Sequence, residues 1–308
     1  MSTGVLLTHT HGWFDRSTPP AVTIRPGDVV TFDCPGVGLD RDATTKDLET
    51  LEFDPESPHT LVGPVAIHGV RPGDALVVEV LDVQVSSDYG HCVIIPGHGL
   101  LPDDFPTPLL HCFHFRNGFA ELNPRVRVPI EPFCGIMGVA PEAPGRHSTT
   151  PPRRVGGNLD IRHLGGGSTL TLPVEVNDAL FSCGDGHAAQ GDGEVCTAAI
   201  ETPVRAKLRF NVVSGAAPRT PTFTLPGPTD RRGADAGHVG AAAVGPDLYR
   251  ASQEAIRSLI ELLVDRHALT PEESYMLCSV AADLRISQIV NAPHWTISAY
   301  LPISVFVD

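Results

Sequence analysis

Short apolar runs alternating with polar residues at a period of two fill the first two-thirds of the chain, the spacing of half-buried strands. They lie at 24–32, 70–80, 92–96, 110–115, 125–130, 169–176, 179–183, 196–201 and 205–213, with turn residues between them. Two begin alike, Ile24-Arg25-Pro26-Gly27-Asp28 and Val70-Arg71-Pro72-Gly73-Asp74. Pro-Gly suits the centre of a type II turn, because glycine takes the position with positive φ. A duplicated β-unit explains the echo, and so does one common turn used twice. After Pro246 the period changes. Leu248, Ala251, Ala255, Leu259, Leu262 and Leu263 recur at helical spacing and predict a helix over 247–267. Thr270-Pro271-Glu272-Glu273 reads as a capping box and starts a second helix, which the pattern carries to about 284. The apolar run 295–307 predicts a closing strand. Residues 143–157 and 214–245 read as loops, the second a long excursion or a cover over a site.

The fold class that follows is α+β. It is mainly β, sandwich or barrel-like, with a C-terminal helical pair and a closing strand. The expected division is 1–215, carrying the site, and 216–308, packed on it, with a single fused domain as the alternative. Composition narrows the function. The 308 residues are 42% hydrophobic and 19% charged, with a net charge of -14. That balance argues against nucleic acid or an anionic membrane as partner and suits neutral small substrates and cations. No stretch approaches the ~20 apolar residues of a membrane span. No basic-then-apolar leader follows Met1. The seven cysteines are odd in number and widely spaced, without CxxC. Reduced, buried thiols and a cytoplasmic location are expected, rather than a zinc–thiolate site.

The densest chemistry lies at 182–194, Ser-Cys-Gly-Asp-Gly-His-Ala-Ala-Gln-Gly-Asp-Gly-Glu. Asp185 and His187 are two apart and share a face if extended. A hairpin pairing 179–187 with 194–201 would set His187 beside Glu194. Carboxylates and imidazole are the ligands of hydrolytic metal sites. The plain alternative is a glycine-rich turn whose aspartates bond their own backbone. Asn158 and Asp160 form a second cluster, with Asn158 placed to orient Asp160. Cys134, in a presumed tight turn at 132–141, is either a nucleophile or an inert buried thiol. Gly135 to Gly138 could present backbone N–H groups to an oxyanion. His9 and His11 form an HxH pair, and His98 sits between glycines. There is no GxSxG elbow, P-loop or GxGxxG to support a serine-hydrolase or nucleotide site.

Taken together these tracts resemble the acetamidase/formamidase family. The likeness runs through 19–28, 63–74, 96–101, 132–141, 156–160, 165–173, 183–194 and 283–291. It implies a mainly β fold with a helical C-terminal part and a homo-oligomer, a dimer or higher. It also implies hydrolysis of short aliphatic amides to carboxylate and ammonia. Asp160, Asp185, His187 and Glu194 match the family's signature positions. The expected mechanism uses a divalent metal, zinc by preference, held by Asp160, Asp185 and His187. Glu194 is a fourth ligand or the general base, and Asp185 and Glu194 are the catalytic pair. His98, Cys134 and Gly135 are expected to line a small, closed substrate pocket. His68 and His98 depart from the family's usual pattern. Two rivals stand beside this expectation: a metal-independent amidase using Cys134, and a non-catalytic β-rich module holding calcium.

Overall fold

A computed structural model describes residues 5–49, 59–226, 237–288 and 294–307. Two sheets form a sandwich. The first runs in the order β1 (Val5–Leu7), β4 (Val29–Cys34), β15 (Val204–Val213), β6 (Ala75–Val85), β13 (Thr169–Pro173) and β16 (Thr222–Thr224). The second is β12 (Gly156–Asn158), β11 (Phe133–Val139), β14 (Phe181–His187), β5 (Leu61–Ile67) and β2 (Thr10–His11), with β3 (Val22–Ile24) parallel to β5. β4 alternates half-buried and buried residues, as a strand covering one face of a core must. β5 and β11 are buried along their whole length, as interior strands are. Phe32, Phe181 and Phe210 meet between the sheets, with Phe181 and Phe210 centroids 5.0 Å apart.

The repeated Pro-Gly-Asp turns do the same job twice. Gly27 and Gly73 take φ of 95° and 93°, the left-handed value a type II turn needs. In each turn the aspartate carboxylate accepts the arginine N–H at 2.9 Å. β3 and β5 lead into the turns as parallel neighbours in the second sheet. β4 and β6 lead out of them and flank β15 in the first. Each unit carries the chain across the sandwich.

A second core joins the rest. It packs a four-stranded sheet, β10 (Val126–Pro129), β9 (Phe119–Asn123), β8 (Leu109–Arg116) and β7 (Tyr89–Ile94), against the loop 188–203 and the C-terminal part. The C-terminal part consists of α1 (Leu248–His267), α2 (Pro271–Ala281) and the sheet β17 (His238–Gly245), β19 (Trp295–Pro302) and β18 (Asp283–Gln288). α1 starts at an Asp247 cap, and α2 at the expected capping box, in which Glu273 N–H donates to Thr270 Oγ1 at 3.1 Å. This core draws Cys92, Val128, Ala189, Ile200, Leu259 and Leu277 into one cluster. The segment after 215 therefore shares a core with the chain before it.

Four elements differ from the sequence reading. α2 ends at Ala281, and Ala282 turns to extended backbone that begins β18. Residues 214–245 are not one loop, since β16 and β17 form there. β17, HVGAAAVG, lacks the large apolar residues that mark strands, and a Cβ at Gly240 would lie 2.7 Å from Ala299 O. Residues 132–141 are not a tight turn but contain β11. The run 196–201 forms no strand and belongs to the loop that shapes the site.

Candidate active site

β11 and β14 pair antiparallel, with Cys134 opposite Gly186 and Ile136 opposite Gly184. Gly135 thus faces Asp185 across the ladder. Its missing side chain leaves a hollow. A Cβ there would lie 2.6 Å from Asp160 Oδ1, 2.7 Å from Asp185 Oδ2 and 2.8 Å from His187 Cε1. Asp160 arrives just beyond β12, where its N–H and that of Leu159 both donate to Gly135 O. Asp160, Asp185 and Glu194 have φ of 48°, 59° and 43°. Non-glycine residues rarely adopt this left-handed region, and such strain clusters where side chains must be aimed.

After His187 the chain leaves β14 and returns, but the return closes farther along than a hairpin would. Ala188 N–H donates to Ile200 O at 2.8 Å and Thr202 N–H to Gly186 O at 2.7 Å. His187 is therefore bridged to Glu201 rather than set across from Glu194. Glu194 still reaches the site from the middle of the loop. Two triads result, Asp160–His187–Glu194 and Asp185–His187–Glu201, each with ligand atoms within 4.8 Å of one another. Glu201 is the residue the sequence reading missed.

His187 is the hinge of both triads. Gln190 donates to Asp160 O at 2.8 Å through its amide nitrogen, so its oxygen faces His187 Nδ1 at 3.0 Å and accepts a hydrogen bond from it. That leaves Nε2 to face Asp185 Oδ1 and Glu201 Oε2, each at 3.3 Å. Phe133 packs edge-on to the ring at 5.0 Å. His187 Nε2, Asp160 Oδ1 and Asn158 Oδ1 are buried without a hydrogen-bond partner.

The electrostatics are those of crowded, poorly solvated carboxylates. Burial and the Asp185 charge push Asp160 up to about 7. Burial, with Asp160 adding to it, raises Glu194 well above the carboxylate range. Glu201 is raised by burial. Burial opposes ionisation of Asp185 too, but His187 outweighs it and holds that carboxyl low. Burial works against a charged His187, yet Glu201 and Asp185 raise it well above an ordinary imidazole.

Asp160, Asp185, Glu194, Glu201 and Asn158 form the polar side of a cavity of about 690 Å³. His59, Thr60 and His91 also reach it, and the rest of its lining is largely apolar. His187 sits behind the carboxylates, 1% exposed.

The structure brings Asp160, Asp185, His187 and Glu194 together and sets Gly135 against them. It does not bring His98 or Cys134 to the cavity. His98 lies on an exposed turn, its N–H bonded to Ile95 O at 3.0 Å. Cys134 is 2% exposed in the inter-sheet core, clustered with Cys34 and Cys183. Ile136, Met137 and Gly138 pair with β14 on one side and β12 on the other, so β11 offers no open row of N–H groups to an oxyanion. His11 bonds Trp13 O and Ser182 Oγ, and His9 bonds Gly63 O. The HxH pair is thus used up in holding β2 to its neighbours. The pocket is neither small nor matched to a four-atom amide.

The sequence model of the Acetamidase/Formamidase family matches residues 7–147 and 142–308. The chain belongs to the acetamidase/formamidase family. A protein of Schizosaccharomyces pombe, provisionally assigned as a formamidase, is 30% identical over 284 residues, 71% of this chain and 68% of its own length. The formamidase of Methylophilus methylotrophus is 26% identical over 60% of this chain and 59% of its own. The crystal structure of an acetamidase from Bacillus halodurans superposes with a TM-score of 0.67 at 29% identity, covering 97% of each chain. A gamma lactamase from Delftia acidovorans superposes with a TM-score of 0.88 and covers 97% of this chain and 90% of its own. At 24% identity it speaks to the fold alone. This member of the family is an amidase. Its described helices include none long and apolar enough to cross a membrane.

Proposed function

We propose that this amidase hydrolyses the C–N bond of an aliphatic amide to carboxylate and ammonia, using a divalent cation held by His187 and the surrounding carboxylates. The observation that carries the reading is the pair of triads sharing the buried His187, whose Nε2 sits 3.3 Å from both Asp185 Oδ1 and Glu201 Oε2, beside a partnerless Asp160 Oδ1. Four carboxylates converge where His187 is the one basic group in both triads, and such a cluster is costly without a cation. Asp160, Asp185 and His187 would hold the metal, with Glu201 as a further ligand. Oxygen and imidazole donors of this kind suit zinc, and calcium less well because of the nitrogen. When bound, the ion lowers the pKa of a water towards ~7 and polarises an amide carbonyl.

The chain's own groups supply the rest. Gln190 fixes the His187 tautomer, so Nε2 is the atom free to act as ligand. Glu194, held up by burial, is suited to take a proton from water and give it to the leaving nitrogen. A C–O bond forms to the water oxygen, the C–N bond breaks, and the two products leave as carboxylate and ammonia. Asn158 Oδ1 is placed to accept a hydrogen bond from the substrate N–H. Formamide and acetamide are the probe substrates that family membership suggests.

Two further expectations belong to this proposal. Buried reduced thiols suit a cytoplasmic protein. The outward-facing Val244, Ile286 and Tyr249, each more than half exposed, suit a homo-oligomer whose size sedimentation would give. The test of the main reading is metal analysis together with ammonia release by wild type and Asp185→Ala. Stoichiometric metal, lost with activity in the variant, is expected. Full turnover by a verified metal-free preparation would overturn it.

A further inference from the structure

The cavity is too large for the amides the family is named after. Water occupies about 30 Å³ per molecule in the liquid, so the four heavy atoms of acetamide need on the order of 100 Å³. The cavity measures about 690 Å³, within the roughly 300–1,000 Å³ range of sites that enclose drug-sized ligands. Its lining is of two kinds: the carboxylates and Asn158 make one part polar, while Val37, Leu39, Leu48, Val93, Ile95 and Pro108 line the apolar remainder. None of those six is buried, and Val37 and Ile95 are 42% and 37% exposed. Apolar side chains left wet around one hollow mark a surface that a ligand covers. Among the described lining residues there is no Lys or Arg. A substrate carboxylate would therefore enter beside four acids with no lysine or arginine to pair it.

We infer that the preferred substrate is an uncharged amide whose acyl group is bulky and apolar, an aryl-alkyl or branched alkyl chain, rather than formamide or acetamide. The inference rests on the proposed amide-hydrolysing site and adds the nature of the acyl group. The amide occupies the acidic end, with its N–H on Asn158 Oδ1. The acyl group displaces water from the wall formed by Val37, Leu39, Leu48, Val93, Ile95 and Pro108. Burying a methylene there raises kcat/KM by about fourfold at most.

The test is ammonia release by the purified, metal-loaded protein with formamide, acetamide, isobutyramide, valeramide, phenylacetamide and succinamate. With about fourfold per methylene as a ceiling, kcat/KM for phenylacetamide should exceed that for acetamide by ~30-fold, well under the limit its added ring carbons would allow. Succinamate should be at least ~10-fold poorer than uncharged valeramide, since its charge is left unpaired. Ile95→Trp, which narrows the apolar end, should cut the phenylacetamide-to-acetamide ratio by roughly fourfold, the worth of about one buried methylene. A kcat/KM that is highest for formamide or acetamide and falls with acyl size overturns the inference and leaves the amidase site standing. A ratio unmoved by Ile95→Trp overturns the assignment of the wall. Turnover that persists after metal removal, whatever the acyl preference, overturns the metal reading and not this one.

Discussion

Gly135→Ala is the substitution that most directly tests the geometry. The new methyl carbon would sit 2.6 Å from Asp160 Oδ1, 2.7 Å from Asp185 Oδ2 and 2.8 Å from His187 Cε1. Ordinary carbon–oxygen contacts lie at about 3.3 Å or more, so both carboxylates must retreat by roughly 0.6 Å. Metal ligands hold their distances to within about 0.2 Å, so a shift of that size breaks the set. Losing even a supporting hydrogen bond lowers metal affinity by ~10–100-fold, and direct displacement of two ligands should reach at least the upper figure. A misplacement approaching 1 Å also costs about 100-fold in rate, or ~2.7 kcal/mol of barrier. The fold should survive. The colliding atoms are side-chain ends, not backbone, and Gly135 is not among the residues with positive φ. Overpacking costs about 1–3 kcal/mol, which for a chain of this length lowers Tm by less than ~10 °C. The assay is threefold: the melting curve, metal content after dialysis against trace metal, and ammonia release. A folded Gly135→Ala protein with kcat/KM within about threefold of wild type would refute the placement of the active centre in this hollow.

Other outcomes follow from the same geometry. Glu201→Gln keeps the shape but removes a charge 3.3 Å from His187 Nε2, and should lower metal affinity by ~10-fold or more, read by competition with a chromogenic chelator. Cys134→Ala should retain kcat within about threefold, because the thiol lies in the core and not at the cavity; loss of turnover in a protein that melts normally would revive the thiol mechanism. The metal-free protein should lose stability as pH rises. Asp160, with its carboxyl at about 7 against an ordinary 3.8, keeps its proton when folded, and its cost grows as pH climbs from about 4 to 7. Glu194 and Glu201 act in the same sense, and the stabilisation from the raised His187, complete below its ordinary 6.5, declines as pH rises beyond it. Urea midpoints at pH 5, 6, 7 and 8 check this, and a midpoint rising across that range in metal-free protein would contradict it. Ser279→Ala leaves buried Cys196 N–H unpaired and Ala198 C=O with only thiol donors, and should cost about 1–3 kcal/mol by melting.

The elements with clean periodicity were legible in the sequence. The strands at β4, β6, β8 and β15, the start of α2 and the duplicated turn all carry local signals strong enough to survive packing. Asp160, Asp185, His187 and Glu194 were legible as a cluster because three of them lie within ten residues. Glu201 was not. Its partner is set by where the loop after His187 closes, and that is decided by contacts with β7 and α2 about 80 to 110 positions away in the chain, not by the spacing of the loop itself. The run 196–201 looks like a strand because Cys196, Ala198 and Ile200 recur at a period of two, yet Ala199 is buried with them, and the run packs on the second core without a ladder. β17 fails in the opposite direction. Its small residues carry no strand signal, and its extended form comes from eight paired positions with β19.

The C-terminal part is therefore tied to the chemistry even though it supplies no site carboxylate. Arg162, two residues beyond Asp160, reaches Asp283 at 2.9 Å and Asp192 at 3.2 Å, and Leu284 N–H donates to Asp192 O at 3.0 Å. The Asp160 segment, the Glu194 loop and the α2–β18 junction thereby share one buried ion network. Ser279 and the Tyr275 hydroxyl bond the same loop from α2, the latter at Val195 O. Gly191 lies so close to the end of α2 that a Cβ would sit 1.9 Å from Ala282 O. The loop's own sequence, rich in glycine and alanine, has little to hold it in place. Its position is borrowed from the helix, so the early end of α2 at Ala281 matters to the site: one more helical turn would carry Asp283 away from Arg162 and release the loop that aims Glu194 and Glu201.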